Sequence, residues 1–221
     1  MRGDMIESKD KTLEVYYRLS QVFPPSRERF VPPEKIYDQA FKSLVGVMLS
    51  AQTRDEMTGR ACDNLFSVAT TPQEVLNLSN DKLVQLIRPV GMYNVKANNL
   101  KKLCTMLIDE YGGEVPKNRK DLMRLPGIGR KSTDIVMRFV FNEPAIAVDT
   151  HVHRFSNRVG IAKTGKNEVA TANVLKENTP DEYSFSAHEW LINYGKYVCT
   201  ARSPRCDKCI FTDMCDYYRD K

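Results

Sequence analysis

The sequence predicts a protein built from α-helices, and three observations support this fold class. Apolar residues recur at helical spacing along most of the 221-residue chain. No segment shows the sustained alternation of apolar and polar residues that a half-buried strand produces. Prolines and glycines separate the helical stretches at short intervals. With 42% apolar residues, a chain of this length can bury a core, so we expect a compact bundle of short helices.

Each predicted helix follows from an apolar face between two breakers. The clearest runs from Ile36 to Ala51, where the apolar residues share one face of a helix. Pro72 marks the start of another helix, and the segment Pro126–Gly129 separates two more. The remaining predictions are helices at about residues 56–68, 73–78, 81–88, 100–111, 119–125, 130–141, 151–159, 168–177 and 185–197.

The same sequence argues against a membrane-spanning or secreted protein. The longest apolar run, Leu44–Leu49, is far shorter than the roughly 18 residues that a transmembrane helix needs. Residues 1–14 mix acidic and basic side chains and contain no apolar core, so they do not resemble a secretory signal. We therefore expect a cytoplasmic protein.

Positive charge is concentrated in two segments. The formal net charge is +5, and residues 116–131 alone contain six basic side chains against one acidic side chain. A second basic segment covers residues 196–208. Such patches are typical of surfaces that bind polyanions, nucleic acid first among them. A solvated helix face is the alternative interpretation.

The turn Leu125-Pro-Gly-Ile-Gly-Arg-Lys131 lies within a predicted helical hairpin of about residues 119–141. Its two glycines permit a tight turn and a close approach of the backbone to a ligand. The second helix begins near Gly129, where unpaired amides and the positive end of the helix dipole favour an anion such as a phosphate. An ordinary turn between helices, closed by glycine, is the alternative.

Four of the six cysteines lie between residues 199 and 215, with the spacing C-x6-C-x2-C-x5-C. Disulfides do not persist in the cytoplasm, so this group predicts a metal site with four thiolate ligands. Zinc modules normally present two CxxC pairs, whereas only Cys206 and Cys209 form one here. The spacing alone leaves zinc possible.

Six motifs follow one another along nearly the entire chain: LSAQTRD (residues 49–55), GMYNVKANNL (91–100), YGGEVPKNR (111–119), LPGIGRKS (125–132), AVDTHVHR (147–154) and the cysteine group. In order and spacing they resemble the helix-hairpin-helix DNA glycosylases of the iron–sulfur type, the endonuclease III family. The resemblance implies two helical domains that flank a DNA-binding cleft. Residues 33–143 would form a six-helix barrel domain containing the hairpin. Residues 1–32 and 144–221 would form an iron–sulfur cluster domain with a cluster loop at 199–215.

The resemblance implies that Lys131 is the catalytic nucleophile. A primary amine can displace the damaged base at the sugar C1′ and leave a Schiff base that promotes β-elimination of the 3′ phosphate. The amine must be neutral to attack, and our hypothesis is that Arg130, the helix N-terminus and a partly desolvated pocket favour that form. Apart from the resemblance, Lys131 would serve equally well as a phosphate contact.

Asp149 precedes the predicted helix 151–159, at a position typical of a helix N-cap. The resemblance adds a second role, that of a catalytic carboxylate. Such a group stabilises positive charge that develops on the sugar and assists proton transfer during lysine attack. Both roles are compatible.

The resemblance also implies that Cys199, Cys206, Cys209 and Cys215 hold a [4Fe-4S] cluster. We expect this cluster to order residues 200–205, so that Arg202 and Arg205 contact DNA phosphates. Backbone phosphates are also the expected ligands of the hairpin turn, which would fix position on DNA without reading sequence. The hairpin residues expected to bind DNA are Gly127, Ile128, Gly129 and Arg130.

Two further residues are expected to enter the duplex, because a glycosylase extrudes its target nucleotide and something must fill the gap. By resemblance these are Gln52 and the residue after Gly91, which is Met92 in this sequence where the family commonly has Leu. Methionine is apolar and flexible, so it retains the capacity to act as a wedge. Without the resemblance, Gln52 would be interpreted as a polar residue at a helix end.

Together these features predict a monomeric, bifunctional DNA glycosylase and abasic-site lyase of base excision repair. We expect it to remove oxidised pyrimidines from double-stranded DNA, to cleave abasic sites, and to be associated with the nucleoid through DNA. One alternative is a monofunctional helix-hairpin-helix glycosylase for adenine or mismatched thymine; such relatives generally lack the lysine. A non-catalytic DNA-binding protein is the other alternative, and it would need neither Lys131 nor Asp149.

Overall fold

The structure, a computed structural model, describes residues 2–24 and 33–220, with side chains for residues 10–24 and 40–220. All regular elements in these residues are helical and none is a strand, which confirms the predicted fold class. None of the helices in the described ranges is long and apolar enough to cross a membrane. The chain divides into two compact units after residue 142. We call residues 33–142 the hairpin unit, and residues 2–24 with 143–220 the cysteine unit.

The hairpin unit contains helices α2 Pro33–Ser50, α3 Asp55–Phe66, α4 Pro72–Asn77, α5 Asn80–Ile87, α6 Tyr93–Tyr111, α7 Arg119–Leu122 and α8 Arg130–Phe139. The cysteine unit contains α1 Arg2–Val22, α9 Thr150–Val159, α10 Glu168–Asn178, α11 Ala187–Tyr197 and α12 Asp216–Arg219, with two short 3₁₀ turns.

Helix starts are set by local side-chain chemistry. Ser79, Asn118 and Asn167 each accept a hydrogen bond from an amide in the first turn of the following helix. Thr71 and Glu74 form a reciprocal capping box at the start of α4, where Pro72 takes the first helical position. These caps fix where α4, α5 and α7 begin in the hairpin unit and where α10 begins in the cysteine unit.

The core of the hairpin unit lies along α2 and α6. Leu44 and Leu49 from α2, and Leu100, Leu103 and Leu107 from α6, are fully buried. The three leucines of α6 are spaced i, i+3 and i+7, which places them on one face of the helix, the periodicity that the sequence analysis used. Helices α2 and α6 therefore provide the buried core that supports the turns of this unit.

The core of the cysteine unit is aromatic. Phe155 of α9, Tyr194 of α11 and Phe211 lie within 4.9–5.6 Å of one another by ring centroid. Helices α9 and α11 pack closely because Gly195 has no side chain where the His151 carbonyl approaches. This core supports the segment that carries the four cysteines.

Two helices extend the sequence prediction. Helix α6 begins at Tyr93, seven residues before the apolar pattern at 100–111. Its first turns carry mostly exposed or polar side chains, so they lack the apolar periodicity on which the prediction depended. Helix α1 was not predicted, although Val15, Tyr16 and Leu19 form a buried stripe along it. In the described part of α1 and in α6 the buried apolar residues cover only part of the length of the helix.

Candidate DNA-binding and catalytic site

The turn between α7 and α8 has the geometry of an anion site. Gly127 adopts a left-handed φ of 82°, and a side chain there would crowd Met48 of α2 at 3.1 Å and Asn99 of α6 at 3.4 Å. Gly129 is the N-cap of α8, and no described side chain caps that helix end. The first amides of α8 and its dipole therefore point to a place where an anion can bind.

The predicted residues of this turn differ in their surroundings. Lys131 lies in the first turn of α8 with an exposed side chain, and Arg130 before it is half-buried. Ile128 is 5% exposed, and its amide donates to the Leu125 carbonyl at 3.0 Å. Ile128 thus anchors the turn from within, whereas the glycines and the two cations form its outer surface.

Salt bridges hold the two arms of the hairpin together and fix the hairpin to α6. Arg119 of α7 pairs with Asp134 of α8, whose side chain is 7% exposed. Arg124 donates to Glu110 at 2.7 Å and to the Tyr111 hydroxyl at 3.0 Å. Several basic residues that the sequence analysis counted as a polyanion patch therefore also brace the hairpin.

Gln52 and Met92 share an unusual backbone conformation. Both have a left-handed φ, 52° for Gln52 and 53° for Met92, and both side chains are exposed, Met92 by 53%. This region costs a residue other than glycine about 1 kcal/mol or more. Strain of this kind persists only where surrounding contacts impose it.

The buried side chain of Lys96 contacts the turn that carries Gln52. Lys96 of α6 is 5% exposed, and its ammonium donates to the Leu49 carbonyl at 2.7 Å, the Ala51 carbonyl at 2.8 Å and Thr53 Oγ1 at 2.8 Å. Burial lowers the pKa of Lys96. These bonds satisfy carbonyls at the C-terminal end of α2.

In the cysteine unit, Asp149 is the N-cap of α9. Its Oδ1 atom accepts from the amides of His151 and Val152, both at 2.9 Å. Both bonds use one carboxylate oxygen, so Oδ2 is the atom left to act on a ligand. The predicted capping role is confirmed by this geometry.

The four clustered cysteines line a single cavity. Cys199, Cys206, Cys209 and Cys215 are free thiols at half-buried positions, and Phe155, Val159 and Phe211 contribute to the cavity wall. Burial raises the pKa of the Cys199 and Cys215 thiols, so metal binding must release their protons. Among the described residues, no three potential ligands converge closely enough to hold one metal ion.

This arrangement fits a cluster better than a single zinc ion. Four thiolates on one tetrahedral zinc would lie about 3.8 Å apart, given Zn–S bonds of about 2.3 Å. In a four-iron cluster each thiolate binds a different iron, so the four ligands need not converge on one ion, and the cysteines that line this cavity do not converge on one. Two donors already point at these sulfurs: Tyr194 lies 3.4 Å from Cys209 Sγ, and Arg158 lies 3.6 Å from Cys199 Sγ.

Arginines from neighbouring helices hold the carbonyls of the cysteine segment. Arg154 donates to the Cys199 carbonyl at 2.9 Å, and Arg158 donates to those of Thr200 at 2.7 Å and Ala201 at 2.9 Å. Arg18 of α1 reaches the Ile210 carbonyl at 2.8 Å. The predicted DNA-binding residues of this segment, Arg202 and Arg205, have exposed side chains.

Comparison with known proteins assigns the family. Residues 45–181 match the model of HhH-GPD superfamily base excision DNA repair proteins, and residues 199–215 match the iron–sulfur binding domain of endonuclease III. Endonuclease III of Haemophilus influenzae is 41% identical over 95% of this chain and 97% of its own length. Endonuclease III of Escherichia coli K12 is 39% identical over the same shares.

The chain belongs to the endonuclease III family. A solved structure of a trapped endonuclease III–DNA covalent intermediate superposes with a TM-score of 0.83 at 35% identity, covering 96% of this chain and 97% of that one. As an endonuclease III family member, the protein is a bifunctional DNA glycosylase and abasic-site lyase of base excision repair. It binds DNA, and it carries a [4Fe-4S] cluster.

The sequence analysis missed several residues that shape this endonuclease III site. Lys96 lies in the motif at residues 91–100, and the sequence analysis gave it no role. Its signal is the helical spacing: it precedes the buried Leu100 by four residues, which places a charged side chain on the core face of the helix. Arg154 and Arg158 lie four residues apart, which places them on one face of α9. Tyr194 carried no signal in the sequence, because its contact depends on how α11 packs.

Proposed function

We propose that this enzyme removes oxidised pyrimidines from double-stranded DNA and cleaves the resulting abasic site through a Schiff base on Lys131. The observation that carries the proposal is an exposed primary amine in the first turn of α8, at the anion-binding end of the helix. The pyrimidine preference rests on membership in the endonuclease III family. The proposal also includes a monomeric, cytoplasmic protein whose domains are residues 33–143 and residues 1–32 with 144–221.

In the first step the neutral amine of Lys131 attacks the sugar C1′, and the bond from C1′ to the base breaks. The base leaves with the bonding electron pair and takes up a proton. The nitrogen then gives up a proton and its lone pair displaces O4′ from C1′; O4′ leaves with the bonding pair and takes up a proton, and a protonated imine remains between Lys131 and C1′. The imine withdraws electrons, so a proton is removed from C2′ and the 3′ phosphate departs with its bonding pair. Water then hydrolyses the imine and releases Lys131.

Asp149 supplies the negative charge that these reaction steps need. Positive charge develops on the sugar as the base leaves, and a fixed carboxylate stabilises it. The two amide bonds to Oδ1 hold the carboxylate in place, which leaves Oδ2 to stabilise charge or accept a proton. Capping the helix and assisting catalysis are therefore tasks of different oxygens of one side chain.

The remaining predicted residues bind DNA in this proposal. The glycines of the hairpin turn and Arg130 hold a backbone phosphate, and Arg202 and Arg205 contact further phosphates. Gln52 and Met92 fill the gap that the extruded nucleotide leaves. The [4Fe-4S] cluster, ligated by the four cysteines, keeps the segment with Arg202 and Arg205 in its binding conformation.

Borohydride trapping tests the mechanism directly. The iron-loaded protein is incubated with duplex DNA that carries thymine glycol or an abasic site, and borohydride reduces any imine to a stable covalent adduct. We expect the wild type to form the adduct on both duplexes. Lys131→Ala and Lys131→Arg should both abolish it, because arginine keeps the charge but does not form the imine.

The arginine variant separates the two roles of Lys131. If Lys131 were only a phosphate contact, Lys131→Arg would retain the adduct, and the nucleophile would lie elsewhere. Lys102→Ala is the matched control, since Lys102 is an exposed lysine of α6 outside the hairpin. An iron-loaded wild type that binds the duplex but forms no adduct would reject the lyase mechanism.

A further inference from the structure

Lys96 is a buried lysine for which the proposed chemistry has no use. Its ammonium has three donors, and each meets an acceptor: the carbonyls of Leu49 and Ala51 and the hydroxyl of Thr53. All three acceptors belong to the segment that surrounds Gln52. The Lys96 side chain therefore fixes this turn by three hydrogen bonds.

Lys96 also lies one helical turn after the second wedge residue, Met92. Its amide donates to the carbonyl of Met92 at 3.0 Å, in the first turn of α6, where Met92 is the N-cap. The two turns also approach each other directly, because a side chain at Gly91 would lie 3.7 Å from the Gln52 carbonyl. One residue thus contacts both turns, and both adopt a left-handed backbone that needs support.

We infer that Lys96 is a positioning residue that holds Gln52 and Met92 in the one geometry in which both enter the duplex. This inference rests on the wedge roles in the proposed function. The ammonium binds the backbone of the turn that carries Gln52, and α6 connects Lys96 to Met92, so the positions of Gln52 and Met92 are coupled. Misplacing the pair would impair extrusion of a base more than processing of a site that has already lost its base.

A matched control lies on the same helix. Lys101 of α6 also donates to backbone carbonyls at the end of another helix, those of Leu76 in the last turn of α4 and of Leu78, its C-cap. Removing either lysine amine leaves carbonyls at a helix end without their donor, in bonds that are buried or partly buried, so both variants lose stability. Only Lys96 contacts the wedge turns, and therefore only its loss should change the balance between the two activities.

The experiment compares two single-turnover rates for each variant: base release from a thymine glycol duplex, and imine trapping on the same duplex with a preformed abasic site. For Lys96→Met we expect base release to fall on the order of 10- to 100-fold, as for other small misplacements of positioned groups. Trapping should fall by about threefold or less, because an abasic site has no base to unstack. Lys96→Arg, which keeps charge and donors, should recover part of the base-release rate.

The outcomes separate this inference from the proposed function. If the wild type forms no adduct, the proposed function fails. If the wild type is active and Lys96→Met lowers both rates equally, or Lys101→Met shifts their ratio as much, Lys96 is only a structural residue and the inference is overturned. Should Lys96→Met fail to fold, Lys96→Gln, which lacks the ammonium and keeps fewer donors, decides: a ratio identical to that of the wild type overturns the inference, and a selective loss of base release supports it.

Discussion

The turn around Gln52 and the cysteine segment both present exposed side chains from irregular backbone, but they are held by different means. The first spans only a few residues and is fixed by one lysine amine and the end of α2. The second runs from Cys199 to Cys215 and contains little regular structure. Its carbonyls are held by arginines from α1 and α9, and its thiols face a common cavity.

The difference follows from segment length. A short turn between two helices can be fixed by hydrogen bonds from its own frame, because few backbone groups need partners. A longer segment has more conformational entropy to lose, so it needs a stronger constraint such as a cluster that joins four points along it. We therefore expect the hairpin unit to keep its site geometry without the cluster, and the cysteine segment to lose its own.

The largest effect is expected when a cluster ligand is removed. Cys209→Ser should abolish iron binding and the visible absorbance of the cluster, since one iron loses its thiolate. Amide hydrogen exchange should then accelerate strongly between residues 199 and 215. It should change little in α6 and α8, which belong to the hairpin unit and carry none of the four clustered cysteines.

Cys62→Ser provides the control, because Cys62 is a half-buried free thiol in α3 and does not line the cysteine cavity. Its iron content and exchange pattern should match those of the wild type. Wild-type iron content in Cys209→Ser would contradict the ligand assignment. Equal acceleration in α6 and α8 would show that the two regions do not differ in their dependence on the cluster.

The next effect concerns the scaffold beneath the cysteine segment. In Gly195→Ala the added methyl group would collide with the His151 carbonyl, so α9 and α11 must move apart. We expect a loss of about 3 kcal/mol in unfolding free energy, in the range of overpacked cores. Iron retention at elevated temperature should fall as well, because Arg154 and Arg158 on α9 would no longer reach their carbonyls.

Gly59→Ala is the matched substitution in the hairpin unit. Gly59 lies within α3, and a side chain there would meet nothing within 4 Å. Alanine should raise the unfolding free energy by about 0.5–1 kcal/mol, since it restricts the unfolded chain. If the two alanine variants had the same stability in denaturant unfolding, the close packing of α9 and α11 at Gly195 would not be a source of rigidity.

Sequence reasoning reached the fold, the glycine turn of the hairpin and the cap of α9 because each of these leaves a local signal. The apolar period of α2, the cap at Asp149 and the glycines of the hairpin turn follow from the chemistry of neighbouring residues. The supporting contacts of Lys96 and Tyr194 join residues far apart in the chain, 47 residues for Lys96 with Leu49 and 15 for Tyr194 with Cys209. Such pairs depend on tertiary packing, which periodicity does not encode.

The smallest effect tests whether the hairpin unit relies on local hydrogen bonds. Glu74 Oε2 accepts from the amides of Thr70 at 2.6 Å and Thr71 at 3.1 Å, and the Thr70 bonds foremost lower the pKa of this carboxyl. A depressed carboxyl pKa stabilises the folded state above the unfolded pKa of about 4.3, and that contribution disappears as pH falls through the folded value. Glu74→Gln should therefore speed amide exchange in α4 at pH 7 and match the wild type near pH 3.

The rate ratio between variant and wild type at each pH isolates this effect from the intrinsic pH dependence of exchange. Glu177→Gln, which alters an exposed carboxyl of α10, should leave the exchange of α4 unchanged at every pH. Exchange in residues 199–215 should also be unaffected by Glu74→Gln, because the capping box contacts only residues 70–74. A variant whose effect on α4 persisted unchanged at pH 3 would contradict a charge-dependent cap, and would move the stability of α4 from its own hydrogen bonds to its packing against α6.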